Sequence, residues 1–437
     1  MKALIWLAFA VWAQEPGPEA ILAEGDRLAA EKEYDRALLR WRDAYQLLVP
    51  RLRGLDLRKP VEAGLLDREG LRDEIRRALD EELPEEKRRF LDRSLKVFGF
   101  VPPTLSVERL VLDLYTEEVA GFYDPRRKKL FLVHETEEDE RPRGFLERLL
   151  GSSGGFDPDE QKIALAHEMA HALADQHYDL DALDRASPDD DTDLALAALI
   201  EGEATLVMIA ETMRESGGAA QALKMSPRTI DWTFRLLRPF LPYASGKAFR
   251  DAPRIFRESL LFPYVQGTVF LLHATNRGGW KPVDAAFRDP PRSTEQVLHP
   301  EKYFGAERDE PERIEVPALD GALEGEWKEV GRNVLGELQL SVLLDRAAAA
   351  GWDGDRYVVL EDAAGRVALA WITAWDSPDE AGEFARSCRR ARPEWTIRAA
   401  GTRVAAAAGA SAGERTRLVE RLLERPEGRL DGVPRDR

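Results

Sequence analysis

His167-Glu168-Met169-Ala170-His171 sets two imidazoles four residues apart with a carboxylate next to the first. On an α-helix, side chains at that spacing lie about 40° apart around the axis, so both rings leave one face and can share one cation. Two neutral imidazoles are good zinc ligands, and the adjacent carboxylate can take a proton from the metal-bound water. The pattern therefore predicts zinc-assisted hydrolysis, with His167 and His171 holding Zn2+ and Glu168 as the general base. Asp175 falls one turn further along the same face, close enough to accept a hydrogen bond from a ligand imidazole and fix its tautomer.

The rest of the composition narrows the alternatives. The 437 residues include six histidines and one cysteine, Cys388, which excludes an intramolecular disulfide framework, a Cys-rich zinc ribbon and an iron–sulfur cluster. Lys plus Arg number 63 against 80 Asp plus Glu, a net charge of −17, so no nucleic-acid partner is expected. His177 follows His171 by six residues and points to another face. His134 and His273 read as ordinary, partly buried histidines. The acidic run Asp189-Asp190-Asp191-x-Asp193 suits a helix first turn without any calcium.

The histidines need a helix, and the sequence supplies one. Asp157-Pro158-Asp159-Glu160 gives an N-cap, a proline at the first helical position and a carboxylate at the third, predicting a helix to about Tyr178. A second helix is expected from about Asp193 to Arg214. It contains Leu199-Ile200-Glu201-Gly202-Glu203-Ala204, and its two glutamates lie about 200° apart, so one alone can face the first helix. Helical period does not choose between them, because both fall in apolar stripes. A carboxylate in a helix that is apolar all round should be paired or metal-bound, which predicts a role for each. Further helices are expected at 106–118, 250–275 and 282–287, and a β-hairpin at Val119–Tyr123 and Leu130–Val133, the one strand pair read in the first 300 residues.

Read as a whole, His167-Glu168-x-x-His171-Ala172-x-x-Asp175 resembles the active helix of thermolysin-like metallopeptidases, the gluzincins. Glu118-Val-Ala-Gly-Phe-Tyr-Asp-Pro125, Phe262-Pro263-Tyr264-x-x-Gly267 and Ser293-Thr294-Glu295-Gln296-x-Leu298-His299-Pro300 are similar to stretches of exported bacterial zinc metallopeptidases. The resemblance covers about 100–305. It implies a third zinc ligand on a following helix, and the order Glu-Gly-x-Ala assigns this to Glu201. It also implies an edge strand that pairs with substrate, here Gly121, Phe122 and Tyr123, and a His or Tyr that donates to the oxyanion. His299, Tyr303 and Tyr264 are the candidates, with His299 first.

These parts give an expected α+β, predominantly helical chain: a zincin-like metallopeptidase core with a small β-hairpin, plus a small C-terminal α+β domain. Lys2 and the apolar run Ala3–Ala13 read as a signal peptide cleaved after Ala13, too short to span a bilayer. Residues 14–98 form an N-terminal helical region, in which Gly25, Leu28, Tyr34, Ala37, Trp41, Ala44 and Pro50 resemble one tetratricopeptide hairpin. The metallopeptidase domain is expected at 99–305, the C-terminal domain at 306–425 and a disordered tail at 426–437. The resulting expectation is an exported zinc endopeptidase, periplasmic or extracellular. It would act on a peptide or protein, with a possible protein partner at the N-terminal helices and no transmembrane segment after signal cleavage. The competing reading is an exported interaction protein with a structural zinc site.

Overall fold

The computed structural model describes residues 16–118, 121–133, 157–237 and 246–424. The expected signal segment at 1–13, His134, the Gly/Ser stretch at 151–155 and the expected tail at 426–437 lie outside the described residues. Helices α1 (Pro18–Ala30) and α2 (Tyr34–Arg53) make the expected hairpin, with Ala37, Trp41 and Ala44 fully buried. Small side chains where two helices touch let their backbones come close. The hairpin's apolar core is continuous with Leu165, Ala166, Met169 and Leu173 from the helix that carries the histidines.

Strand β1 (Glu62–Leu66) leads into α3 (Arg68–Glu82) and α4 (Glu85–Phe98), which are separated at Pro84. After α5 (Val107–Glu118) come β2 (Gly121–Asp124) and β3 (Lys129–Val133). Strand β3 pairs antiparallel with β2 and parallel with β1, giving a three-stranded sheet in the order β1-β3-β2. This corrects the expectation of a single strand pair in the first 300 residues. Glu-Ala-Gly-Leu-Leu contains no β-branched residue, and its strand form comes from pairing with distant residues 129–133.

The helical centre consists of α6 (Pro158–Tyr178), a short α7 (Leu180–Ala186), α8 (Asp190–Thr212), α9 (Pro227–Leu237) and α10 (Arg254–Gly278). Helix α8 touches both α6 and α10, and is apolar enough to be buried between them. Helices α11 (Lys281–Arg288), α12 (Thr294–Leu298) and α13 (Pro300–Phe304) close this layer. Among the described residues no helix is long and apolar enough to cross a membrane.

The remaining chain is an antiparallel five-stranded sheet in the order β4-β5-β6-β8-β7: β4 (Trp327–Asn333), β5 (Trp352–Asp362), β6 (Val367–Trp375), β7 (Thr396–Ala400) and β8 (Arg403–Ala408). Between its strands run α14 (Gly336–Leu343) and α15 (Pro378–Ala391), and α16 (Ala412–Leu423) follows. Along β6, Leu369 and Trp371 join a core with Phe384 and the buried Cys388, while Ala370 and Ile372 join another with Leu418 and Leu422. Alternate residues of a strand face opposite sides, so a run that is apolar throughout needs cover on both faces. Helix α4 supplies part of that cover: Phe98 lies in the Trp371 core, and Phe90 stacks on Tyr357 with ring centroids 5.9 Å apart. The sequence boundary at 98/99 thus groups with the N-terminal region a helix whose packing is to the C-terminal sheet. The architecture is α+β and predominantly helical, with two small sheets.

Candidate metal centre

Helix α6 begins where the sequence predicts. The Asp157 carboxylate accepts hydrogen bonds from the amides of Asp159 and Glu160, and Pro158 occupies the first turn. Such a cap stabilises a helix by about 1 kcal/mol. Fully buried Ala166, Met169, Ala172 and Leu173 hold the helix in place, leaving His167 and His171 4% and 9% exposed. Their Nε2 atoms stand 3.0 Å apart. Glu201 Oε2 lies 3.0 Å from His167 Nε2 and 3.5 Å from His171 Nε2. Ligands about 2.1 Å from a tetrahedral zinc are about 3.4 Å from one another, so the three side chains fit the ion in donor type and in spacing. A carboxylate oxygen of Glu168 comes within 4.8 Å of a ring nitrogen of each histidine. Its Oε2 also accepts a 2.8 Å bond from the amide of Tyr123.

The structure separates the two glutamates of α8. Glu201 faces the histidines, whereas Glu203 is 1% exposed and paired with Arg53 of α2. Gly202 between them lies against α10: a Cβ there would collide with the backbone of Gly267, and one on Gly267 would collide with Ala198. Glycine costs about 1 kcal/mol against alanine in a helix interior, and here it permits an approach that no other residue allows. The same approach brings Tyr264 of α10 beside His167, ring centroids 6.1 Å apart.

Charge is concentrated in this cluster. Burial opposes ionisation of Glu201, but the two imidazoles outweigh it and hold the carboxyl well below the usual range. For His171, burial favours the neutral ring, and the charge and hydrogen bond of Glu201 reverse this, pushing it up to about 9. A metal would have to displace the proton these groups share. Burial raises the Glu168 carboxyl, with the histidines pulling it back.

Two assignments change. Asp175 is 4% exposed and does not reach an imidazole. It accepts from the Tyr123 hydroxyl at 2.7 Å, Lys128 Nζ at 2.8 Å and the Leu180 amide at 3.0 Å. The Nδ1 atoms of His167 and His171 have no hydrogen-bond partner among the described residues. Asp175 therefore ties β2 and the turn after it to the helix that carries the histidines. His299 is not brought to the cluster either. Its Nε2 lies 3.0 Å from Glu337 of α14, and it lines a separate cavity of about 330 Å³ with His273 and Arg228. Its polar setting in the sequence reflects a joint between α12, α13 and the C-terminal sheet region. Tyr303 donates to the Asp289 carbonyl, also apart from the cluster.

Gly121, Phe122 and Tyr123 form an edge strand beside α6, with β3 on one side. The Tyr123 amide, bonded to Glu168, points away from β3. His177 bonds the Asp56 carbonyl, and Asp189 caps α8, both in line with their expected roles. Arg53 and Lys128 escaped sequence reasoning, because nothing in their local spacing points to Glu203 or Asp175.

Residues 323–421, covering the C-terminal sheet and its helices, match the model of a family described as a domain of unknown function (DUF8575). That stretch lies outside the histidine cluster. No curated protein and no solved structure matches the chain.

Proposed function

We propose that the chain is an exported zinc-dependent endopeptidase of the gluzincin type, built on a zincin-like core. The observation that carries this reading is the convergence of His167, His171 and Glu201 within 3.0–3.5 Å, with Glu168 beside them and hydrogen-bonded elsewhere. A structural site closes around its ion with four protein ligands, whereas three ligands and a carboxylate held by a backbone amide leave a coordination position for water. His167, His171 and Glu201 would hold the ion, which supplies Lewis acidity to a carbonyl and lowers the pKa of water. Glu168, oriented by the Tyr123 amide, takes a proton from the attacking water and delivers it to the leaving amine. The β2 edge offers backbone groups to an extended peptide next to that base. Tyr264 replaces His299 as the proposed hydrogen-bond donor to the oxyanion, because it is the candidate that lies against His167.

The test is metal analysis of the purified mature chain followed by an untargeted peptide-library digest. About one zinc per chain and cleavage abolished by a chelator are expected. Carefully prepared protein without zinc or an equivalent transition metal sinks the reading.

A further inference from the structure

Arg53 is the last residue of α2, far from the metal helix in sequence, and its side chain is 1% exposed. Its guanidinium pairs with Glu203, two residues beyond Glu201 on the same helix. It also donates to Asp284 Oδ1 at 2.7 Å and lies over the Trp280 ring, 4.5 Å from the centroid. Both partners are themselves held. Trp280 Nε1 donates to the Leu52 carbonyl at 2.9 Å, and the hydroxyl of Tyr178, the end of α6, donates to Asp284 at 2.9 Å. A planar fork fixed by two carboxylates and a stacking ring has little freedom. It joins the ends of α2 and α6 to α8 and the segment around α11.

Stability alone is a weak reason for such a pair. Replacing a buried ion pair by apolar residues of similar volume is often neutral or stabilising. Direction is a better reason. The Gly202–Gly267 contact sets how close α8 comes to α10, but two residues without side chains cannot interlock to set how α8 is turned. At a side-chain tip about 5–6 Å from the axis, a 10° turn moves an atom by about 1 Å. Metal ligands tolerate about 0.2 Å.

We propose that Arg53 is a positioning residue for the metal centre: by holding Glu203 it fixes the rotation of α8 about its own axis, and with it the aim of Glu201 at the two histidines. The inference rests on Glu201 being a zinc ligand. It makes the N-terminal hairpin a working part of the site and not a removable cover.

The experiment uses the full mature chain and reads zinc affinity by chelator competition, the absorption spectrum of the cobalt-substituted protein, and melting temperature. Arg53→Met alone leaves Glu203 buried and unpaired, so the informative variant is Arg53→Met with Glu203→Met. It should melt within a few degrees of wild type, yet bind zinc at least about tenfold more weakly, with altered cobalt bands. Arg53→Lys, which keeps the charge without the fork, should fall between. Wild-type affinity and spectrum in the double variant would overturn the proposal. If that variant does not fold, Asp284→Ala decides: Asp284 is itself 22% exposed and one clamp is lost, so affinity should drop about threefold, within the usual cost of losing one supporting hydrogen bond. Unchanged affinity there overturns the proposal equally. A wild-type chain that never binds zinc instead sinks the reading beneath it.

Discussion

Asp355 in the C-terminal sheet is a buried carboxylate and Glu201 in the helical centre a partly exposed one, and they are treated in opposite ways. Asp355 is 2% exposed and accepts four hydrogen bonds, from the amides of Leu335 and Gly336 and the indoles of Trp352 and Trp371, at 2.9–3.2 Å. Its capacity is filled by donors, and it pins the entry to α14 onto β5 and β6. Glu201 meets two imidazole nitrogens whose other nitrogens have no partner among the described residues. Buried polar groups are normally saturated. A saturated carboxylate is architecture, whereas two ring nitrogens and a carboxylate oxygen converging on one point describe a place shaped for a cation.

The largest effect that would sharpen this contrast is on turnover. Glu168→Gln keeps the shape of the side chain but cannot take a proton, so cleavage of a library-identified peptide should fall at least about 100-fold. Zinc content and melting temperature should stay near wild type. Activity that survives the substitution removes Glu168 from the mechanism.

Next comes metal content. His171→Ala and Glu201→Ala should each lose zinc, read by mass spectrometry, with modest changes in melting. Glu203→Ala should do the reverse in emphasis, destabilising the fold by about 3 kcal/mol because buried Arg53 loses one of its two carboxylates. If Glu203→Ala lost zinc more completely than Glu201→Ala at equal stability, the ligand assignment would be reversed.

On the architectural side, Asp355→Ala strands four buried N–H groups and should cost about 3 kcal/mol or more, measured by denaturant unfolding. Zinc affinity of the folded fraction should not move. A shift in affinity would break the distinction between the two carboxylates.

The smallest effect concerns His299. The hydrogen bond to Glu337 raises its pKa, against the lowering effect of burial, and the charges of Glu337, Glu295 and Glu301 add to the rise. The folded state therefore holds the proton more tightly than the unfolded one. That contribution is complete below the ordinary histidine value of about 6.5 and is lost as pH climbs through the raised one. Melting temperature should decline slightly over that window, and Glu337→Gln should flatten the decline. His299→Gln should leave peptide cleavage within about twofold of wild type. A drop comparable to that of Glu168→Gln would restore His299 to the site.

The readable parts of the sequence were those whose partners lie within a few residues. The cap at Asp157 and the facing of His167 and His171 both follow from local spacing. Asp175 reads from the sequence as a partner for a ligand imidazole one turn beyond His171, but its partners arrive from β2 and the turn after it. The choice between Glu201 and Glu203 depended on Arg53, and period analysis cannot sense a guanidinium delivered by another helix. His299 looked free for chemistry because Glu337, which occupies it, comes from a later segment. Strand β1 carries almost no signal of its own, and pairing with β3 creates it.

The first turn of α8 is set far from its histidine-facing middle. Asp191 is 1% exposed and accepts from the amide and hydroxyl of Thr294, while Gly336, at φ +72°, lies so close that any side chain there would strike it. The amide of Asp190 donates to Asn333. The helix that presents Glu201 is thus moored to residues the ribosome adds much later. A chain made from its N-terminus has His167, His171 and Glu201 in hand long before Thr294, Asn333 and Gly336 exist. A chain that stopped short of Gly336 would lack the contacts that moor this helix, so the centre proposed here depends on sequence well beyond its own ligands.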